Sequence, residues 1–217
     1  ALFAAAGIDT EKADVVARLL VLTDQLGRRT HGLAMAPLYL DGIAKGALTP
    51  RGEPEVVRDT GATLVWDGRH LPGLWLVASA IDVAAERVST HGVVTVAIRR
   101  SHHIGCLAAL VKQAADRGLI AIIANSDPSG QRVAPYGGTQ ALFTPNPFAV
   151  GYPGADHPAL IDSCASITTT SMTREKYAAG EQFEHAWLLD AEGRPTRDPA
   201  VLENATPRGS LQLVGGE

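Results

Sequence analysis

The histidine His31 is the first residue whose type and surroundings could do chemistry. It lies in the run Arg29-Thr30-His31-Gly32, between two segments with helical patterns. Imidazole titrates near neutral pH, so His31 could give a proton to a carbonyl oxygen while a hydride reaches the adjacent carbon. The Thr30 hydroxyl could orient the ring. The same pattern is also typical of a histidine that only bonds a neighbouring loop.

A second candidate is the run from Ser101 to Gly105, which reads SHHIG and includes His102 and His103. It joins an apolar strand pattern to the start of a helix, where backbone N–H groups and the helix dipole favour a phosphate, and Gly105 would let a ligand approach the backbone. The alternative is a polar cap on that helix. Adjacent histidines seldom point at one ion and no acid lies at a helpful offset, so we expect no metal site.

A third candidate is Asn146, which stands between Pro145 and Pro147. The prolines fix the backbone and hold the amide in one place, which suits the recognition of a substrate oxygen or a nicotinamide carboxamide. A stiff turn leading into a strand is the alternative interpretation.

A fourth candidate is Asp162, which ends the apolar run before Ser163 and Cys164. Its carboxylate could accept hydrogen bonds from ribose hydroxyls or from an imidazole. A strand-end aspartate that caps the following turn is the simpler alternative.

Several familiar motifs are missing from the sequence. No Gly-x-Gly-x-x-Gly run follows a strand pattern, so a Rossmann nucleotide site has no support. Neither a Gly-x-Ser-x-Gly elbow nor a phosphate-binding P-loop is present. A hydrolase that uses Thr30, His31 and Asp162 as a triad is a weak rival, because adjacent residues rarely face each other as nucleophile and base.

The composition points to a small-molecule partner. The 217 residues are 46% hydrophobic and 19% charged with a net charge of -4, which is typical of a globular protein. Basic residues do not form the patches of a nucleic-acid or membrane binder. The cysteines Cys106 and Cys164 show no disulfide or metal spacing, and the chain shows neither a basic leader nor a membrane-length apolar run. We therefore expect a cytoplasmic protein without a transmembrane segment.

Periodicity predicts alternating helices and strands. Thr10 is the expected cap of a helix that buries Ala13, Val16, Leu19, Leu20 and Thr23 and stops at Gly27. The other predicted helices are 37–45, 74–89, 106–117 and one after 166–173. The predicted strands are 62–66, 93–98, 119–124, 148–152 and 159–162, and a turn is predicted at 190–193.

Two further features bear on architecture. The strands 93–98 and 119–124 are continuous apolar runs, which predicts a sheet covered on both faces. The polar loop 125–138 is too long for a plain connector and is expected to be functional. The sequence stops in a loop-like stretch, Val214 to Glu217, so we expect the last region to be incomplete at its C-terminal side.

Taken in order, these segments resemble the type-2 malate/L-lactate dehydrogenase family, which also includes ureidoglycolate, sulfolactate, diketogulonate and cyclic-imino-acid reductases. The matching residues are Thr30-His31-Gly32, Tyr39, Gly46, Asp67-Gly68, Ser101, His103, Gly105, Pro135, Gly137-Gly138, Asn146-Pro147, Asp162, Ser166, Asp190, Gly193, Pro195-Thr196 and Asp198-Pro199.

The resemblance implies an α/β, family-specific non-Rossmann NAD(P)-binding fold with a mostly antiparallel central sheet wrapped by helices. It implies that 1–60 form the helical part of a substrate and dimer domain, that 61–217 form the cofactor domain, and that the protein is a homodimer using NAD or NADP.

The resemblance also implies roles for residues. His31 resembles the proton donor, with Thr30 in the place of the usual serine, although in some members the histidine matching His103 takes the acid/base role. The segments His103-Ile104-Gly105-Cys106-Leu107 and Ile161-Asp162-Ser163 would line the cofactor. With Asn146 and Pro145 facing the substrate, we expect hydride transfer between NAD(P)H and a 2-oxo acid or cyclic imine.

Two departures from the family pattern stand out. The arginine that often follows the histidine by four residues, and can pair with a substrate carboxylate, is replaced by Met35. The aspartate of a Ser-His-Asp relay has no counterpart near Ser171 and Met172, so Asp162 is a second-choice partner. Arg99, Arg100 and Arg132 are the alternatives for a carboxylate or a 2′-phosphate. A non-catalytic nicotinamide-binding relative is therefore the second hypothesis.

Overall fold

The chain folds into two compact units. The computed structural model describes residues 1–127 and 129–215. Unit 1 comprises Ala1–Ile122 and Val150–Ile161, and unit 2 comprises Ile123–Ala149 and Asp162–Glu217. The boundary between the two units does not coincide with residue 60, where the sequence predicted a division. The functional assignment of regions 1–60 and 61–217 stays a prediction.

The described residues form α-helices and three small sheets. The α-helices are α1 Leu2–Ala5, α2 Thr10–Gln25, α3 Ala36–Ala44, α4 Gly73–His91, α5 Leu107–Ala115, α6 Thr170–Ala179 and α7 Ala200–Glu203. The strands are β1 Glu55–Asp59, β2 Thr63–Asp67, β3 Thr95–Arg99, β4 Ala121–Ala124, β5 Phe148–Tyr152, β6 Ala159–Ser163, β7 Leu188–Leu189, β8 Pro195–Thr196 and β9 Ser210–Leu211. The sheet orders are β1-β2-β3, β4-β5-β6 and β8-β7-β9. A mixed α/β fold is therefore confirmed.

Helix α2 is the centre of the helical layer in unit 1. All five residues of its predicted apolar face are buried, and α2 packs against both α4 and α5. The predicted cap is wrong, because Thr10 is already helical and Asp9 takes the cap position without a side-chain hydrogen bond. Apolar spacing locates the packed face of a helix well but leaves its first residue uncertain.

The first sheet joins the helical layer through α4. Strand β1 pairs with β2 antiparallel, and β2 pairs with β3 parallel, with α4 as the crossover between them. Leu64 and Trp66 of β2 pack with Ala80 of α4. Strand β1 was not predicted, and all five of its residues are exposed, so it lacks the alternation that marks a half-buried strand.

The prediction that strands 93–98 and 119–124 are covered on both faces is wrong. Burial alternates along β3 and β4, and Ile122 of β4 is 66% exposed. An apolar run shows that a strand can be buried, but it does not show that a second layer is present to cover it.

Unit 2 has its own small core. Its buried residues Val133, Phe183, Leu188, Leu202 and Leu211 form one cluster. Strand β7 pairs antiparallel with both β8 and β9, and the Gly193 N–H closes the predicted turn on the Asp190 carbonyl. The predicted long loop 125–138 includes Pro128, which lies outside the described residues.

Among the residues that the structure describes, no helix has both the length and the apolar content needed to cross a bilayer.

Candidate active site

Histidine and tyrosine rings converge in unit 1. The ring centroids of His31 and His103 are 6.0 Å apart and stacked. The Tyr39 ring lies 5.9 Å from that of His103 and 5.5 Å from that of His102. The two histidines that the sequence proposed for catalysis, far apart along the chain, are therefore brought together by the fold.

Helix α2 fixes the turn that carries His31. His31 ends the short 3-10 helix Arg29–His31, directly after α2. The Asp24 carboxylate of α2 accepts a hydrogen bond from the Leu33 N–H at 3.1 Å. Gly32 lies so close to this carboxylate that a Cβ would overlap it. The backbone on the C-terminal side of His31 is therefore held by a side chain from the helix before it.

Thr30 is within reach of the His31 ring. Its Oγ1 lies 3.0 Å from Nδ1 of His31. A hydroxyl can donate or accept, so this contact holds the ring angle without choosing which nitrogen carries the proton. The geometry suits the orienting role predicted for Thr30, and that role stays a prediction.

The loop that carries His102 and His103 is seated on the beginning of α4. The His102 N–H donates to the Leu71 carbonyl at 3.2 Å. Gly73, the first residue of α4, lies against the backbone carbonyls of both histidines. A Cβ at position 73 would come within 2.6 Å of the His103 carbonyl oxygen. Only a glycine allows this approach of loop and helix.

His102 points inward. Its Nδ1 is buried, and among the described residues it has no hydrogen-bond partner. Gly42 of α3 leaves room for the ring, because a Cβ there would lie 3.1 Å from Nε2. Burial lowers the pKa of His102, and the nearby His70 lowers it further. His102 therefore lies in a packing position, and its lowered pKa favours the neutral ring.

A buried carboxylate anchors the loop from its other side. The Asp67 side chain is 1% exposed and accepts hydrogen bonds from Arg99 Nε at 3.0 Å and Arg100 Nε at 2.9 Å. The pKa of Asp67 is lowered to about 2, mainly by the hydrogen bonds from Arg100 and to a smaller extent by the Arg69 N–H and the charge of Arg99. Two of the arginines considered for an anionic ligand thus already share one carboxylate.

Backbone strain is concentrated beside this carboxylate. Arg69, His70 and Arg100 have positive φ values of 48°, 59° and 52°, which side-chain-bearing residues rarely adopt. The His70 N–H donates to the Arg100 carbonyl at 2.6 Å. The ion pairs and this bond together hold the turn after β2 against the beginning of the histidine loop.

The segment 103–107 fits a nucleotide in part. His103 is exposed and Ile104 and Gly105 are half-buried, while Cys106 and Leu107 are 5% and 1% exposed. Gly105 has φ +66°, and a Cβ there would lie 2.8 Å from Leu74. A glycine turn at the start of a helix offers backbone N–H groups to a phosphate, which a nicotinamide nucleotide carries. Cys106 and Leu107 can contribute only through their backbone.

The remaining predicted site residues lie at the strand ends and in unit 2. Asn146 has φ +46°, and its Oδ1 accepts from Ser126 Oγ at 2.8 Å and Thr144 Oγ1 at 3.0 Å. The Pro145 carbonyl accepts from the Ala165 N–H at 2.7 Å.

The predicted cofactor strand is only partly accessible. Ile161, Asp162 and Ser163 end β6. Ile161, which belongs to unit 1, is 52% exposed. Asp162 and Ser163, with Asn146, belong to unit 2, whereas Thr30, His31 and His103 belong to unit 1. The roles of all these residues stay predictions.

Sequence reasoning missed several residues that build the site. Tyr39 was predicted only as one of the residues that match the family pattern. No role was predicted for Asp24, Gly42 or Gly73. Tyr39, Gly42 and Gly73 act through contacts with residues distant in sequence. Asp24 acts on the next element of the chain, and local spacing reveals neither kind of contact. The one local signal was Gly73 at the predicted start of a helix, where close backbone approach is a common reason for glycine.

Comparison with known proteins identifies the family. The malate/L-lactate dehydrogenase profile matches residues 1–217, so the chain belongs to the malate/L-lactate dehydrogenase family. Hydroxycarboxylate dehydrogenase B of Escherichia coli K12 is 32% identical over 212 residues, covering 97% of this chain and 58% of that protein. A (2R)-3-sulfolactate dehydrogenase (NADP(+)) of Chromohalobacter salexigens is 33% identical, over 96% of this chain and 62% of that protein.

Solved structures agree with this assignment. Malate dehydrogenase of Entamoeba histolytica superposes with a TM-score of 0.92 at 29% identity, over 99% of this chain and 60% of that one. Delta1-piperideine-2-carboxylate reductase of Pseudomonas syringae gives 0.88 at 29% identity, over 99% and 63%. The chain thus spans about three fifths of the length of the relatives it matches.

Proposed function

We propose that the protein carrying this chain is an NAD(P)-dependent oxidoreductase that interconverts a 2-oxo acid and a 2-hydroxy acid, or reduces a cyclic imino acid. The observation that carries the proposal is the meeting of His31 and His103 beside Tyr39, at a loop that leads into α5. The relatives named as hydroxycarboxylate and sulfolactate dehydrogenases and as an imino-acid reductase support this substrate range.

The proposed chemistry divides between a bound cofactor and this chain. Reduced nicotinamide supplies the hydride that reaches the 2-carbon. His31 gives a proton to the oxygen of the C=O bond, or to the nitrogen of the C=N bond, as that double bond becomes single. Thr30 holds the imidazole ring in place. General acid catalysis of this kind contributes about 10²–10⁴-fold.

The other predicted residues are assigned to binding. His103 to Leu107 and Ile161 to Ser163 would hold NAD or NADP, and Asn146 with Pro145 would face the substrate. Asp162 is the proposed acidic partner of an imidazole, in the absence of the usual relay aspartate near Ser171.

The proposal extends to architecture. We propose that the full protein completes the family's non-Rossmann fold, with a mostly antiparallel central sheet wrapped by helices. Residues 1–60 would contribute to a substrate and dimer domain and 61–217 to the cofactor domain. A cytoplasmic homodimer is the proposed form.

One observation favours a second candidate, a non-catalytic nicotinamide-binding relative. Met35, which ends the 3-10 helix Leu33–Met35, stands where the family often has an arginine. A thioether cannot pair with a substrate carboxylate as a guanidinium does. In this candidate the cofactor would bind, but no 2-oxo acid would be reduced.

The test is a titration followed by turnover. NADH and NADPH are titrated into the full-length protein by fluorescence, and the bound cofactor is then offered a panel of 2-oxo acids and cyclic imino acids. Binding with turnover supports the oxidoreductase, binding without turnover supports the second candidate, and no binding of either nucleotide overturns both.

Replacement of His31 by alanine tests the proposed acid. We expect kcat to fall by about 10²–10⁴-fold with little change in the Kd for the cofactor. His157→Ala, at an exposed histidine of the same unit, is the matched control and should leave kcat unchanged. Undiminished turnover in His31→Ala would remove His31 from the mechanism.

A further inference from the structure

The hydrogen bonds at His103 decide which of its nitrogens carries the proton. The Gly105 N–H donates to Nδ1 of His103 at 3.3 Å. A backbone N–H has no lone pair to offer and can only donate, so Nδ1 must be the accepting nitrogen. A neutral imidazole with an accepting Nδ1 carries its proton on Nε2.

The Tyr39 hydroxyl is compatible with this assignment, because a hydroxyl can donate to an accepting nitrogen. The hydroxyl lies 3.0 Å from Nδ1 of His103, a shorter contact than that of Gly105. Tyr39 is only 3% exposed, and burial raises the pKa of its phenol. The hydroxyl therefore keeps its proton and is available to donate it to Nδ1.

We propose that Tyr39 is a positioning residue that fixes His103 as an Nε2–H hydrogen-bond donor toward an oxygen of the bound ligand. This rests on the proposed oxidoreductase function and deepens it, because it assigns different tasks to the two histidines. His103 contributes a fixed donor, and His31 supplies the proton.

The groups that face Nδ1 of each histidine decide which of the two can carry a positive charge. To act as the proton donor, His103 would have to be an imidazolium with a hydrogen on each nitrogen. The Tyr39 hydroxyl could turn to accept from the Nδ1–H, but the N–H of Gly105 would face a second donor. Two donors cannot form a hydrogen bond with each other, so charging His103 costs the Gly105 contact. The Nδ1 of His31 instead faces the Thr30 hydroxyl, which can accept as well as donate, so an imidazolium is tolerated at His31.

The packing around Tyr39 keeps the hydroxyl in place. Its ring makes an edge contact with His102 at 5.5 Å and a tilted contact with Phe3 at 6.4 Å. Removal of the hydroxyl alone, in Tyr39→Phe, preserves these ring contacts. The variant therefore separates the hydrogen bond from the packing.

The test is nitrogen-15 NMR of the full-length protein with labelled histidine, without cofactor or substrate, at a pH of about 8, above the ordinary histidine pKa. In the wild type we expect His103 to show a protonated Nε2 and an unprotonated Nδ1. In Tyr39→Phe the ratio of Nε2–H to Nδ1–H forms should fall roughly 2- to 10-fold, the factor that one ordinary hydrogen bond supports. Tyr152→Phe, at a 41% exposed tyrosine of the same unit, should leave the ratio unchanged.

Two results would overturn the proposal: a wild-type His103 protonated on Nδ1, or a ratio that does not respond to Tyr39→Phe while the His102 signals show an intact fold. The wild-type measurement needs no variant, so it decides even if Tyr39→Phe does not fold. Neither readout depends on turnover, so failure of the proposed reaction would be seen separately.

Kinetics give a second readout if the protein turns over. Tyr39→Phe should lower kcat/KM by the same factor of roughly 2 to 10 and leave the midpoint of the kcat pH profile unchanged. A shifted midpoint would show that Tyr39 acts through the proton donor, contrary to the proposal.

Discussion

At the scale of single residues, Asp67 connects the first sheet to the candidate site. Its carboxylate is almost fully buried and receives the side chains of Arg99 and Arg100 at the point where β3 leads into the histidine loop. The buried Asp67 carboxylate would be costly without these two arginines. Removal of the acid would in turn leave two guanidinium groups without their shared acceptor. The arrangement therefore depends on ionisation of Asp67.

Asp67→Asn should lower the thermal stability of the protein and change its response to acid. The pKa of Asp67 in the folded protein is about 2, below the ordinary value of about 3.9, so its stabilising contribution is present above about pH 4 and is lost as the pH falls toward 2. Unfolding measured by denaturant across this window should be less pH-dependent in Asp67→Asn than in the wild type.

The control for Asp67→Asn is Asp82→Asn, which removes an exposed ion pair to Arg117 and should change stability little. An Asp67→Asn curve as steep with pH as that of the wild type would contradict the prediction.

The sequence could indicate the chemical residues but not their neighbours. Their types, together with the order of motifs, selected His31 and His103, and the fold brings these two rings together. The role of Tyr39 could not be predicted, because it depends on a hydrogen bond to a loop far along the chain. Likewise, nothing local showed that Asp67 would occupy Arg99 and Arg100.

At the scale of elements, the beginning of α4 is the support of the site. Gly73 allows the helix to contact the carbonyls of His102 and His103, while the body of α4 packs on α2 and α5. A displacement of this helix end would move the loop that carries both histidines. Backbone contacts of this kind cannot be relieved by a side-chain rotation.

Gly73→Ala should destabilise the protein by about 1–3 kcal/mol, the usual cost of overpacking, and weaken nicotinamide binding. Gly42→Ala is the matched comparison: its Cβ would meet the His102 ring at 3.1 Å, and the gain in helix propensity offsets the small shift that the ring must make. Denaturant unfolding of both variants checks the expected order, and an equally stable Gly73→Ala would contradict it.

Helices and strands whose apolar residues repeat regularly could be predicted, and those without such a repeat could not. The face of α2 and the extents of α3, α4 and α5 follow from apolar spacing. Strand β1 carries no alternation because it is exposed throughout. The open faces of β3 and β4 could not be predicted either, because covering of a strand depends on other parts of the fold.

At the scale of the whole molecule, the chain builds two units from interleaved segments, and each unit has its own buried cluster. Length and composition predicted a globular protein of one large or two intertwined domains, and periodicity predicted helices and strands. Neither could show which segments belong to which unit. The family resemblance supplied the expected reaction, which stays a proposal.

The proposed reaction needs no metal, and this can be tested on the whole protein. Among residues 1–127 and 129–215, no group of three or more histidine, cysteine, aspartate or glutamate side chains could hold an ion. We expect dialysis against EDTA to change turnover by less than about twofold, since imidazole acid catalysis requires no Lewis acid. Loss of turnover that zinc or magnesium restores would contradict this expectation.

The contact between Gly32 and Asp24 has a consequence for how sequences in the family diverge. Because a side chain at 32 would occupy the space of the carboxylate, a lineage that replaces the glycine must also shorten or displace the residue at 24. Each change alone disturbs the turn after His31, so the pair should evolve by rare coupled steps, with single-change intermediates selected against.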